Sequence, residues 1–280
     1  MRIGVIGLGH IGYSIANGLN SLGHEIHSWT RSERTVPWRN STDLRTGDDR
    51  EFDSVFIASG GAKPNSGNLD LELATTLDLV SNFKLSKGTK LFYISSGAVY
   101  GECTAPQSEE DIPEPTTGYG KVKLRVEQQL QTIYGDQLSV LRVGNIIDED
   151  NPYGIVAHLV TTIETGTFAA FGKPSDCRDY LTVSDFQICI ERLVEFDYQT
   201  KLLNLGSGQS VSLKQFEILL SETMGTRIDV QWEQRRPGDL SQTRLDVTQM
   251  RQRLKINPED PVKKLGAVIS SLNLSNHLSD

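Results

Sequence analysis

Three residue types at fixed spacing could move a proton in this chain. Tyr119 and Lys123 stand four apart in the stretch TTGYGKVK, and the apolar run Leu91–Ile94 breaks upstream into Ser95-Ser96-Gly97. On a helix, side chains at i and i+4 share a face, so the phenol and the ammonium would lie one above the other. A neighbouring positive charge favours a phenolate, so Lys123 would draw the Tyr119 phenol down toward neutrality. A hydroxyl from Ser96 could complete a proton-transfer site. The plainer alternatives are an ordinary pair on an amphipathic helix surface and a turn hydroxyl that satisfies backbone.

Such a site needs a hydride carrier, and the N-terminus offers a seat for one. Residues 2–7 (RIGVIG) read as a buried strand, Tyr13–Leu22 as an amphipathic helix ended by Gly23, and His24–Trp29 as a second strand. Between the first strand and the helix lies Gly7-Leu8-Gly9-His10-Ile11-Gly12, which is GxGxxG at the first turn of a βαβ unit. Gly7 permits the tight turn, Gly9 lets backbone approach a pyrophosphate, and Gly12 lets helix and strand pack closely. The helix N-terminus adds N–H donors and a favourable dipole. His10 and Ile11 fall beside the cofactor in this reading, with no chemistry assigned to His10.

The end of the second strand bears on cofactor choice. An NAD binder usually places an acid there, but this chain has Trp29-Thr30-Arg31-Ser32. Thr30, Arg31 and Ser32 would border the ribose. Arg31 with Ser32 could hold a 2′-phosphate, which favours NADP(H) and leaves NAD(H) possible. The alternative is a solvated loop arginine. Asp43-Leu44 reads as the end of a short strand whose acid could meet the adenine amine. The strand over residues 53–58 ends at Ala58, and Ser59-Gly60 follows where backbone could lie close to the cofactor.

Leu69–Phe83 has helical apolar spacing, Lys90–Ile94 is the strand leading to the serines, and a helix from Tyr119 runs to Tyr134. Leu138–Val143, Arg178–Val183 and Leu202–Leu205 read as further strands. Alternating strands and helices predict an α/β fold, a Rossmann-type doubly wound parallel sheet with a smaller C-terminal substrate-binding lobe. Residues 1–148 with 178–205 would form the dinucleotide-binding domain, and 149–177 with 206–280 the lobe.

Composition narrows the function classes. The chain has 280 residues and a formal net charge of -8, a poor balance for binding nucleic acid. Its three cysteines form no CxxC pair, which argues against a disulfide framework or a metal site and fits a reducing compartment. The glycine-interrupted N-terminus does not read as a signal peptide, and no apolar run is long enough to span a membrane. A cytoplasmic protein is the expectation.

With these motifs in place, the chain resembles the extended short-chain dehydrogenase/reductase family, in its nucleotide-sugar epimerase/dehydratase/reductase branch. Ser95-Ser96-Gly97-Ala98-Val99-Tyr100-Gly101 resembles the family's serine motif, with Ser96 at the catalytic position and Gly97 and Ala98 facing the substrate. Tyr119 to Lys123 is similar to its YxxxK. Leu141-Arg142 with Asn145 resembles LRxxN, whose Asn faces the nucleotide-sugar. Arg178-Asp179-Tyr180 with Val183 and Asp185 is similar to RDYxxVxD, whose Arg reaches a diphosphate. Arg235–Asp239 resembles a late motif, which carries phosphate and ribose contacts onto Arg236 and Asp239 and leaves Arg235 solvated. The phosphate loop is one residue shorter than the family's GxxGxxG, and no Asn of a catalytic tetrad can be placed.

The resemblance implies hydride transfer between a nicotinamide and a sugar carbon, with Tyr119 as acid/base. Lys123 would also hold the nicotinamide ribose, and Ser96 the substrate oxygen. Dehydratases of the family carry an Asp-Glu pair in the serine motif where this chain has Gly97-Ala98, so elimination is set aside. A keto-sugar reductase is favoured over a 4-epimerase with retained NAD, because Arg31 points to NADPH. A redox sensor that binds NADP(H) without catalysis is the alternative of another class. Tyr153, Phe168 or Phe171 could stack on a nucleobase, and Glu102 and Cys103 could line the sugar pocket. Helices 69–83 and 119–134 resemble the pair that builds a homodimer in relatives.

Overall fold

The computed structural model describes residues 1–30, 36–38, 40–43, 50–59, 76–78, 80, 85–195 and 200–277. Its strands are β1 (Arg2–Ile6), β2 (Glu25–Thr30), β3 (Asn40–Asp43), β4 (Ser54–Ile57), β5 (Lys90–Ser96) and β6 (Leu138–Val143). There follow β7 (Asn145–Ile147), β8 (Thr167–Phe171), β9 (Cys177–Thr182), β10 (Leu202–Leu205), β11 (Ser210–Ser212) and β12 (Asp229–Glu233). The described helices are α1 (His10–Ser21), α2 (Gly118–Tyr134), α3 (Ile155–Thr165), α4 (Val183–Glu195), α5 (Leu213–Met224), α6 (Thr248–Leu254) and α7 (Pro261–His277).

Seven strands form one sheet in the order β10-β6-β5-β4-β1-β2-β3, with every pairing parallel. Helices cover both faces, so the strands are apolar along their length rather than alternating. Val55, Phe56 and Ile57 are buried together, as are Leu91, Phe92, Tyr93 and Ile94. One face packs Ile15 and Leu19 of α1 with Phe186, Ile190 and Leu193 of α4. The other packs Val122, Val126 and Leu130 of α2. The strand order reverses at β1, flanked by β2 and β4. Ligands of doubly wound sheets bind in the crevice at such a point, beyond the carboxyl ends of the strands.

The lobe adds a three-stranded sheet, β11-β9-β7, and the parallel pair β8–β12. Its own core joins Leu159, Phe168, Phe216 and Leu265. The division differs from the sequence expectation in two places. The strand β9 pairs with β7 and β11 rather than entering the large sheet. Residues Leu245, Val247, Met250, Leu254 and Ile256, expected in the lobe, pack into the large-sheet core. The chain crosses back after β12, and the apolar face of α6 finds its burial on that sheet. Helix 69–83 lies mostly outside the described residues, though 76–78 and 80 are helical.

Candidate active site

The strand β5 delivers Ser95 and Ser96 to the carboxyl edge of the sheet. There the chain tightens into a 3-10 turn over Gly97–Tyr100, and Ser96 caps it by accepting the Ala98 N–H at 3.2 Å. Thr117 caps α2 in the same way, accepting the Gly120 N–H at 3.0 Å. A Cβ on Gly120 would stand 2.5 Å from the Ala98 carbonyl oxygen, so α2 begins directly against the serine turn and glycine is required there. This contact carries the half-exposed Tyr119 to the turn. One helical turn on, the buried Lys123 donates from Nζ to the Ile94 carbonyl at 2.9 Å. Its ammonium lies 5.0 Å from the Tyr93 ring centroid and 5.9 Å from that of Tyr119. The end of α2 that carries Tyr119 and Lys123 thus lies against the end of β5 that carries Ser96.

A buried polar network underlies them. Glu127, a further turn along α2, accepts from Ser95 Oγ and takes Arg142 Nε at 3.2 Å and Nη2 at 2.7 Å. The Arg142 guanidinium lies 4.6 Å from the Tyr100 ring centroid, and the Tyr100 hydroxyl donates to Asn204 Oδ1 at 2.8 Å. Burial raises the Tyr100 phenol above its ordinary range. The Asn204 N–H donates to Glu109 at 2.9 Å, tying the polar loop after the serines to β10. Glu127 was not among the residues singled out from sequence. The available signal was its i+4 spacing from Lys123 among apolar positions.

The three glycines of the loop differ in the room around them. Gly7 has φ +93°, and a Cβ there would come within 2.8 Å of Ser59 backbone. A Cβ on Gly12 would lie 1.8 Å from the Gly7 carbonyl oxygen. A Cβ on Gly9 would meet nothing within 4 Å, so the loop is open on that face, at the N-terminus of α1. Ser59 Oγ, beside the loop at the end of β4, is buried without a hydrogen-bond partner. Ala58 donates its N–H to the Ile6 carbonyl at 2.9 Å, which holds β4 against β1 at the crevice. The helix begins at His10 rather than Tyr13, so His10 and Ile11 belong to its first turn. Thr30 ends β2 and registers with Asp43 of β3. Arg31, Ser32, Leu44 and Gly60 lie outside the described residues, as does the Asp43 side chain.

Facing these elements is the segment that returns from the lobe to the large sheet. Gly97 abuts the Leu245 side chain, so residues 241–246 run beside the serine turn. Glu102 accepts the Ser241 N–H at 2.9 Å, and Cys103 Sγ donates to the Gln242 carbonyl at 3.7 Å. Both residues, expected to line a sugar pocket, brace this segment. Arg178, expected at a diphosphate, donates to the Cys177 and Ser241 carbonyls at 3.0 Å and also to that of Leu240. It thus fixes the loop after Asp239, and the backbone pairing of Cys177 with Gln242 places those carbonyls within its reach.

Arg235, expected to be solvated, pairs with Asp176 at 2.8 Å, because that buried carboxylate requires a counter-charge. Arg236 is exposed, and its guanidinium stacks 3.7 Å from the Phe171 ring centroid. Asp239 is half-exposed in the same loop, its N–H donating to the Arg236 carbonyl at 3.1 Å. Phe168 is core. The exposed Asn145 donates to the Asp179 carbonyl at 3.2 Å. The Asp179 carboxyl accepts from Ser207 N–H and Oγ, Gly208 N–H and Leu245 N–H. Burial pushes it up to about 6 despite those donors.

Among the described residues no group of three His, Cys, Asp or Glu side chains could hold a metal ion, and no helix is long and apolar enough to cross a membrane.

Known proteins resemble this chain in sequence and in fold. The model of the family described as NAD dependent epimerase/dehydratase matches residues 3–206. A UDP-glucose 4-epimerase of Mycolicibacterium smegmatis is 26% identical over 200 residues, 66% of this chain and 64% of the relative. A dTDP-4-dehydro-6-deoxyglucose reductase of Escherichia coli is 30% identical over 133 residues, 44% of this chain and 42% of the relative. The chain thus spans less than two thirds of the length of these two relatives. In fold it is similar to MoeE5, solved with UDP-glucose and NAD (TM-score 0.81, 22% identity, 99% of each chain). It is equally similar to a UDP-glucose 4-epimerase of Thermotoga maritima solved with UDP-glucose (TM-score 0.81, 21% identity, 99% of this chain and 100% of the other).

Proposed function

Because the chain belongs to the NAD dependent epimerase/dehydratase family, we propose that it is an NAD(P)-dependent enzyme transferring hydride at a ring carbon of a nucleotide-linked sugar. The single observation that supports this reading is the seating of the Tyr119–Lys123 turn of α2 against the end of β5, with Lys123 Nζ held 2.9 Å from the Ile94 carbonyl. A dinucleotide fits the chain at the glycine loop. Gly9 is open, Gly7 and Gly12 leave no room for a side chain, and the orphaned Ser59 hydroxyl lies alongside. Gly7, Gly9 and Gly12 would hold its diphosphate, with α1 N–H groups as donors. When bound, the nicotinamide supplies or accepts the hydride.

The chain's own residues do the rest. Tyr119 exchanges the proton of the reacting sugar oxygen, and a positioned acid/base of this kind contributes about 10²–10⁴ in rate. Lys123 holds positive charge beside that phenol. Ser96 orients the sugar oxygen. Gly97 and Ala98 have no acid–base capacity, which leaves hydride and proton exchange rather than elimination. On the lobe side, the exposed Arg236 and the half-exposed Asp239 supply groups for a nucleotide diphosphate, with Asn145 near the sugar. Arg178 acts there by bracing the loop.

Keto-sugar reduction with NADPH is the first reading, from Arg31. The second is 4-epimerisation with retained NAD, and the epimerase names among the sequence relatives favour it. The chain in this reading works as a homodimer through helices 69–83 and 119–134, which sedimentation tests. The decisive experiment identifies the dinucleotide released from purified protein. It then compares NADPH oxidation with a nucleotide-linked 4-keto sugar against interconversion of UDP-glucose and its 4-epimer. Exchangeable NADP(H) with oxidation means reductase, and tight NAD(H) with interconversion means epimerase. No turnover with either substrate, together with no nucleotide diphosphate binding by calorimetry, overturns the assignment.

A further inference from the structure

His10 lies in the glycine loop and engages the other side of the cleft. Its Nε2 is 2.8 Å from Asp148 Oδ2, and the two side chains are only 10% and 8% exposed. The Tyr153 ring stacks on the imidazole with centroids 5.0 Å apart and planes at 24°. Asp148 Oδ1 accepts the Asn151 N–H at 3.2 Å, so the same carboxylate shapes the turn that brings Tyr153 back. The next residue, Glu149, pairs with Lys264 of α7 at 2.6 Å. Adjacent carboxylates therefore tie one short segment to both bodies, Asp148 to the glycine loop and Glu149 to the last helix of the lobe.

We propose that residues 148–153 are a latch across the pyrophosphate end of a bound dinucleotide, held shut by His10 and Asp148 as positioning residues. This rests on the reading of the glycine loop as the dinucleotide site. His10 is the first residue of α1, and Gly9, the open position, precedes it. A diphosphate seated on that helix terminus lies beside the His10–Asp148 contact, so Gly9 leaves it room to sit while the segment that His10 holds stands along its path of exchange. Opening breaks a largely buried hydrogen bond to a carboxylate and an aromatic stack together. The latch thus governs whether the dinucleotide stays through many turnovers, as epimerisation needs, or leaves after each one, as reduction needs.

The test measures dissociation of NADH and of NADPH from the full chain by stopped-flow fluorescence, with excess oxidised dinucleotide as the displacing species. His10→Phe keeps a ring against Tyr153 and removes the hydrogen bond to Asp148. Loss of a hydrogen bond to a charged group predicts dissociation about tenfold faster or more, with a shift in the same direction for Asp148→Asn. Amide exchange over residues 148–153 in the loaded protein rises in both variants. Tyr153→Leu, at a half-exposed ring, takes the place of His10→Phe if that protein does not fold, and predicts a smaller acceleration. Dissociation within twofold of wild type in these variants overturns the latch alone. A wild-type protein that binds neither dinucleotide overturns the dinucleotide site and the latch with it.

Discussion

Glu127 holds Arg142 through both carboxylate oxygens, at 3.2 and 2.7 Å, with both side chains buried. The pair joins α2 to β6, and Ser95 Oγ on the same carboxylate joins it to β5. Tyr119 and Lys123 precede Glu127 on the same helix. The network under the serine turn therefore sets where the helix that carries Tyr119 and Lys123 sits.

Glu127→Leu leaves the Arg142 guanidinium buried without its carboxylate. The expected loss is about 3–5 kcal/mol of unfolding free energy, read from urea denaturation. Glu127→Gln retains a hydrogen-bond acceptor and loses less. A variant as stable as wild type would mean that the pair contributes nothing to holding α2.

Tyr119→Phe keeps the ring and deletes the hydroxyl. Turnover is expected to fall by about 10²–10⁴-fold, while dinucleotide affinity measured by fluorescence titration changes little. Unaltered turnover would remove Tyr119 from the proton transfer.

The glycine loop separates folding from binding. Gly12→Ala drives a Cβ into the Gly7 carbonyl, so the start of α1 must shift and the melting temperature falls. Gly9→Ala meets open space, so thermal stability holds while dinucleotide binding weakens at least about tenfold, because the new methyl occupies the approach to the helix terminus. Equal melting temperatures for the two variants, or unchanged binding by Gly9→Ala, would contradict this division.

The burial of Asp179 sets the sign of a pH dependence. Its folded-state carboxyl is raised from 3.8 to about 6 by burial, so the folded chain binds this proton more tightly than the unfolded one. Its stabilising contribution is fully present below pH 4 and is lost as pH rises through about 6. Asp179→Asn removes that titration. The stability of wild type relative to Asp179→Asn is expected to fall by on the order of 3 kcal/mol between pH 4 and pH 7, checked by denaturation at both values. A constant difference across that window would show that Asp179 titrates alike in the folded and unfolded chains.

Local pattern carried the fold a long way. Apolar runs such as Val55-Phe56-Ile57 read as strands because a sheet covered on both faces leaves no polar side to alternate with. The tight turn at Gly7 and the close approach at Gly12 followed from spacing, since each is decided within one turn of chain. The pattern did not reveal that β9 leaves the large sheet or that α6 returns to it. Both choices depend on which apolar surface lies nearest once the lobe has folded, and periodicity along the chain has no term for that.

The sequence by itself determined that Tyr119 and Lys123 stand together, because residues four apart share a helix face wherever the helix lies. It also determined the glycine loop, because strand, turn and helix there are contiguous. Only the tertiary structure decided which charged groups face the cleft. Arg178 is turned to backbone, Arg235 to Asp176, and Arg236 remains exposed over Phe171. It alone joined His10 to Asp148, 138 residues away. Guanidinium, imidazole and carboxylate groups reach several partners equally well, and the choice among them is made by the path of distant loops.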